Sequence, residues 1–117
     1  PSFRGLLPYF WSIIKKKKNG VTIHLINKNI DSGKIVFQKK INKKFLSMVN
    51  FYIYISNNYP YYLINAINNL KRKKFIRKKY QSSYYSMPNR QDYQLFSKIG
   101  GRVIRFYDIF NFKNLAK

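Results

Sequence analysis

One carboxylate stands apart in this chain. Asp31 is one of only three acidic side chains among 117 residues. It lies in a polar turn between two apolar runs, residues 21–26 and 35–38, within the stretch GVTIHLINKNIDSGKIVFQ. Ser32 and Gly33 follow it directly. Small residues of this kind let a backbone bend tightly and let a ligand come close. A lone carboxylate at a glycine bend, at the end of a buried strand, is a place where chemistry can sit. Read without its neighbours, Asp31 is an ordinary turn aspartate. His24, the single histidine, is then an ordinary packed strand residue.

Composition narrows that chemistry. There are no cysteines, hence neither disulfides nor thiolate metal ligands. With one histidine and three aspartates, no protein-built metal site is expected. The length fits a single domain, and an apolar share of 45% with 19% aromatics suffices for a packed core. No signal peptide is legible, and the run from Leu6 to Ile14 is broken by Pro8 and too short to span a bilayer. No membrane association is expected, and a cytoplasmic location is the default. The net charge of +21 has two readings. One is a polyanionic partner. The other is residue bias: the chain is crowded with Lys, Asn, Ile, Tyr and Phe, lacks Glu, and spreads its lysines over its whole length.

The elements that must position Asp31 follow from pattern. Residues 1–5 open as a loop. Pro8 suits a helix first turn, with Phe10, Trp11 and Ile14 on one face and the lysines 15–18 at its end. Asn19-Gly20 is a turn signal. Residues 21–26 read as a strand buried on both faces, and residues 35–41 as a second strand. Residues 45–55 carry helical spacing but strand-favouring residue types. Asn57-Asn58 breaks the pattern, and Pro60 starts a helix with the stripe Leu63, Ile64, Ile67 and Leu70. The run from Lys71 to Lys79 is that helix's basic exit. Residues 81–88 read as a loop. Asn89 caps a short helix with Asp92 three residues on, its inner face Leu95, Phe96 and Ile99, stopped by Gly100-Gly101. Residues 102–106 alternate like an edge strand, and a short amphipathic tail follows Asp108. The fold class is α/β with an incomplete sheet.

Several of these residues carry a resemblance. Pro1-Ser2-Phe3-Arg4-Gly5, Pro8 and Trp11, Gly20-Val21-Thr22-Ile23-His24, Ile30-Asp31-Ser32-Gly33 and the residues from Ile35 to Gln38, in this order, resemble the 10-formyltetrahydrofolate-dependent formyltransferases. The stretch from Tyr84 to Asp92, with Phe96 and Gly100, is similar to a segment that follows the catalytic core in some members. The resemblance implies a formyltransferase-type Rossmann-like fold, here the C-terminal half of the sheet with its helices. Residues 1–41 would be the cofactor and active-site segment, and residues 42–117 the helical remainder and tail. It also implies an amine attacking the formyl carbon of 10-formyltetrahydrofolate. The family's asparagine and histidine stabilise the oxyanion, and its aspartate orients the histidine and helps move the proton. That aspartate falls on Asp31. The asparagine and histidine normally lie just upstream of the segment matched by residues 1–5. The chain therefore reads as the C-terminal part of the catalytic domain, inactive by itself. Arg4, Gly5, His24, Ser32 and Gly33 become walls of the folate pocket.

The acceptor stays open between methionyl-tRNA, a sugar-nucleotide amine and a ribonucleotide amine. The run from Lys71 to Lys79 is a candidate RNA contact. A basic RNA-binding module without catalysis is the main alternative, since aromatics among cations can stack on bases. An inactive relative is a third, because Asn27, Lys28 and Asn29 replace acidic residues that the family often has before the aspartate.

Overall fold

The computed structural model describes residues 3–29, 33–77 and 83–115, with side chains described as far as residue 110. Strand β1 (Phe3–Gly5) leads into helix α1 (Pro8–Ile14), and the hairpin β2 (Asn19–His24) and β3 (Ile35–Ile41) follows. Helix α2 (Met48–Lys71) crosses the molecule, and β4 (Ser83–Tyr85), α3 (Arg90–Lys98) and α4 (Phe106–Leu115) complete the order. Among the described residues two two-stranded sheets form: β1 with β4, parallel, and β2 with β3, antiparallel.

The core gathers where α1 meets α2 and α3. Pro8 opens α1 as expected, in the position where its missing N–H costs nothing. Phe10 is fully buried and stacks on Phe96 of α3 with ring centroids 4.5 Å apart. Tyr9 stacks on Phe51 of α2 at 4.3 Å. Ring pairs at these distances add to the burial of their area. On the hairpin side, α2 lies against β3: Phe37 stacks on Tyr62 at 5.5 Å, and the Asn69 amide donates to the Val36 carbonyl over 2.9 Å.

Several sequence expectations need correction. The strand at residues 21–26 is not buried on both faces. It spans Asn19–His24, is half-buried, and pairs antiparallel, while Ile26 is 96% exposed. Residues 45–55 contain no strand, because α2 runs unbroken from Met48 through Asn57, Asn58 and Pro60. Pro60 removes one N–H from the helix ladder, which tertiary packing of the Phe51, Tyr62 and Ala66 face outweighs. The stripe Leu63, Ile64, Ile67 and Leu70 is exposed rather than core. Residues 3–5 and 83–85, read as loops, pair with each other. Leu95 and Ile99 are exposed, leaving Phe96 as the buried residue of α3. Residues 102–106 form no strand. Their carbonyls at Arg102 and Val103 instead accept the N–H groups of Met48 and Val49 at the start of α2, over 2.8 and 3.1 Å.

The start of α2 also holds the contact that the sequence reading missed. Ser47 caps the helix by accepting the Asn50 N–H at 3.0 Å, and its hydroxyl donates to Asp108 Oδ2 over 2.6 Å. Asp108 is 3% exposed and also accepts the Arg105 N–H at 2.7 Å. A buried carboxylate is tolerated because donors surround it. The tail from Asp108 is thereby fastened to the start of the longest helix.

Candidate active site

The candidate residues fall on the two sheets. Arg4 and Gly5 lie on β1, in register with Tyr84 and Tyr85 of β4. Gly5 has φ +98°, and a Cβ there would stand 2.1 Å from the Tyr85 carbonyl oxygen. Only glycine allows both that dihedral and that approach. The Leu6 N–H then donates to the same carbonyl over 3.0 Å. Trp11 stacks on Tyr85 at 5.0 Å, and its indole N–H donates to the Ser86 carbonyl over 3.2 Å. The two separate stretches that carry the resemblance, residues 3–11 and 84–89, are thus packed on each other. The Arg4 Nε is buried and, among the described residues, has no hydrogen-bond partner. A buried guanidinium N–H without an acceptor is costly.

His24 and Gly33 belong to the hairpin. His24 ends β2 opposite Ile35, at an irregularity between Ile23 and His24. Beyond it the Leu25 N–H donates to the Lys34 carbonyl over 2.9 Å. His24 Nδ1 stands 3.1 Å from the Leu25 carbonyl oxygen. A carbonyl only accepts, so Nδ1 carries the proton in that contact. Gly33 is buried, and a Cβ on it would lie 1.5 Å from the same Leu25 oxygen and 3.4 Å from His24 Nδ1. Histidine, leucine carbonyl and glycine therefore close one tight neck. Asp31 and Ser32 lie outside the described residues, as do Lys78 and Lys79 of the basic run. Lys71, Arg72, Lys73, Lys74 and Arg77 are exposed. Among the described residues, no three His, Cys, Asp or Glu side chains gather as a metal site. No described helix is long and apolar enough to cross a membrane.

The neck at His24–Gly33 and the glycine-tight approach of Arg4–Gly5 to Tyr85 both lie in, or pack against, the chain's first third. That third has known relatives: residues 1–44 match the family described as formyl transferase. The likeness covers 44 of the 117 residues.

Solved structures extend the likeness to the fold. The formyltransferase PseJ from Anoxybacillus kamchatkensis, solved with UDP-4,6-dideoxy-4-formamido-L-AltNAc and tetrahydrofolate, is 22% identical with a TM-score of 0.64. The match covers 80% of this chain and 51% of that one. A sugar N-formyltransferase from a Shewanella species is 25% identical with a TM-score of 0.62, covering 85% and 47%. The N-formyltransferase from Helicobacter canadensis, solved with folinic acid and dTDP-3-aminofucose, is 26% identical with a TM-score of 0.52, covering 79% and 35%. The α/β formyltransferase fold is therefore the fold of this chain, which spans about half the length of the first two structures.

Proposed function

We propose that this chain contributes part of the active site of a folate-dependent N-formyltransferase whose acceptor is the amine of a sugar nucleotide. The formyl transferase match over residues 1–44 carries this reading. Structural neighbours solved with tetrahydrofolate or folinic acid, and with sugar nucleotides, support the donor and acceptor classes. Those neighbours support the sugar-nucleotide acceptor over methionyl-tRNA.

One observation fits a folate donor to these residues. Arg4 Nε is a buried donor without a partner among the described residues, suited to an anionic or carbonyl group. When bound, 10-formyltetrahydrofolate supplies the formyl carbon as an activated amide. The chain's own residues do the rest. Asp31 accepts a proton released as the acceptor amine becomes an amide nitrogen. Gly33, with Ser32 before it, shapes the pocket through its backbone. His24 positions the neck through its Nδ1–H contact with the Leu25 carbonyl. Arg4 and Gly5 wall the site from β1.

The test is formyl transfer to a nucleotide-linked amino sugar by the natural protein that carries this sequence. Asp31→Asn keeps the shape and removes the base, so kcat should fall by about 10²–10⁴-fold. Unchanged turnover would remove Asp31 from the mechanism. No transfer to any amino-sugar nucleotide by the unmodified protein, alongside transfer to methionyl-tRNA, would overturn the acceptor class.

A further inference from the structure

Helix α2 is rich in asparagine, and one of these residues behaves differently from its neighbours. The side-chain amides of Asn58 and Asn65 donate back into their own helix, to the carbonyls of Tyr54 and Tyr61 four residues earlier, each over 2.8 Å. Such back-bonding is the ordinary outlet for a short polar side chain inside a helix. The Asn69 amide instead leaves the helix and donates to the Val36 carbonyl of β3 over 2.9 Å. Two further contacts follow. Past the end of α2, the closure at Lys73 turns the chain back, and the Ile76 N–H donates to the Ile35 carbonyl over 2.8 Å. Beside it, the Lys34 ammonium stands 5.3 Å from the centroid of the Phe75 ring. Lys34, Ile35 and Val36, the three residues that follow Gly33, are therefore each held by residues 69–76. On their other edge the Lys34 carbonyl accepts the Leu25 N–H, and Ile35 pairs with His24. Ile35 and Val36 are buried between the two.

We propose that Asn69 is a positioning residue for formyl transfer, and that the end of α2 is the clamp through which it acts; this rests on the folate-dependent reading of the site given above. The clamp fixes where β3 begins. Asp31, the proposed base, is joined to that start through Ser32 and Gly33 alone. The anchor of its turn is thus set from the α2 side as well as from the β2 side. Hydrogen bonds suit this task better than apolar contact, because donor and acceptor must meet within a narrow range of distance and angle. Without Asn69 the carbonyl of buried Val36 loses its donor, and an unsatisfied buried carbonyl drives the strand start toward a new partner. A displacement of about 1 Å at a reacting group can cost about 10²-fold in rate. Because the clamp acts on the base, its loss falls on kcat rather than on KM.

Formyl transfer by the natural protein that carries this sequence, together with amide hydrogen exchange, tests this. Asn69→Leu keeps the side chain's shape and removes its donor. It should lower kcat about tenfold or more, with KM for both substrates within about twofold. In an Asp31→Asn background the same substitution should cost less than about twofold, because a residue that acts through the base then has nothing left to position. A merely structural asparagine would cost the same in both backgrounds. Asn65→Leu removes a bond of the same kind that stays within α2, and should leave kcat unchanged. Exchange at the Leu25 and Ile76 amides should quicken about five- to tenfold in Asn69→Leu, the equivalent of one hydrogen bond. The Gly101 amide, bonded to the Phe96 carbonyl, should keep its rate. If Asn69→Leu fails to fold, Asn69→Ala carries the same test, since alanine raises helix propensity while removing the donor. An unchanged kcat, equal losses in both backgrounds, or unchanged exchange at Leu25 and Ile76 would each overturn the proposal. No formyl transfer by the unmodified protein, or Asp31→Asn without effect on turnover, would overturn the reading of the site and the positioning role with it, and the exchange pattern would then show whether the clamp itself exists.

Discussion

At the scale of single residues, the neck between Leu25 and Gly33 depends on an absent side chain. Gly33 needs no unusual dihedral. It needs space, because a Cβ would fall 1.5 Å from the Leu25 carbonyl oxygen, a backbone atom that cannot swing aside. Gly100 is the opposite case: nothing lies within 4 Å of its Cβ position, but its φ is +84°. Gly33→Ala must therefore break the Leu25–Lys34 closure, at a cost of about 3 kcal/mol or more, in the range of severe overpacking. Gly100→Ala should cost about 1 kcal/mol, the left-handed penalty alone. Thermal melts of the two variants check the order. Hydrogen exchange at the Leu25 amide checks the cause, since only Gly33→Ala should unprotect it. Equal costs would mean that the neck yields more easily than its geometry says.

At the scale of elements, three helices end in the same way with different residues. After α3, the Gly101 N–H donates to the Phe96 carbonyl and the Gly100 N–H to that of Ser97. After α1, the N–H groups of Lys17 and Lys16 donate to Ser12 and Ile13, and after α2, those of Lys74 and Lys73 donate to Asn69 and Leu70. Each is a paired closure around a left-handed residue, but Lys16 and Lys73 hold φ of 49° and 52° without being glycine. Lys73→Gly should relieve that strain and stabilise the chain by about 0.5–1 kcal/mol, read as a raised melting temperature. An unchanged or lowered melting temperature would show that the Lys73 side chain contributes more than its backbone costs. This contrast shows what was legible in the sequence. Gly100-Gly101 announces its turn, and Asn89 and Asp92 announce a capping box that the structure contains in full. The α1 boundary and β3 were also readable, from Pro8 and from an apolar run at strand length. The pairing of residues 3–5 with 83–85 was not, because two three-residue strands carry no periodicity and meet only through long-range packing on Trp11 and Tyr85. Pro60 pointed the wrong way, since local propensity loses to the packing of Phe51, Tyr62 and Ala66 on either side of it. The partnership of Asp108 with Ser47 spans 61 positions and leaves no local signal at all. At the candidate site, the bend residues Gly5 and Gly33 could be picked out by type and resemblance. The collision each one avoids exists only once the chain is folded.

At the scale of the molecule, 24 cationic side chains face three carboxylates. Two of those carboxylates are engaged in capping contacts, Asp92 at the start of α3 and Asp108 on Ser47 and the Arg105 N–H. They fasten helices rather than offset the lysine-covered surface. Excess like charge destabilises a compact state because folding draws the charges together. Among the exposed cations, lysines 15–18 lead directly into Asn19, which pairs with Ile41 beside Lys40, so that end of the hairpin gathers charge from two segments. The apolar core is small enough for this repulsion to matter, since burial is centred on Phe10, Phe51, Tyr62 and Phe96. Added salt should therefore stabilise the fold itself. Between about 0.05 and 0.5 M sodium chloride the screening length shrinks from roughly 14 to 4 Å, shorter than most spacings between surface lysines. The melting temperature should rise by several degrees, corresponding to about 1–2 kcal/mol for a domain of this size. Sodium sulfate at equal ionic strength separates screening from preferential exclusion, which acts on burial of apolar surface and not on charge. If chloride left the melting temperature where it was while sulfate raised it, self-repulsion would not be what limits this fold.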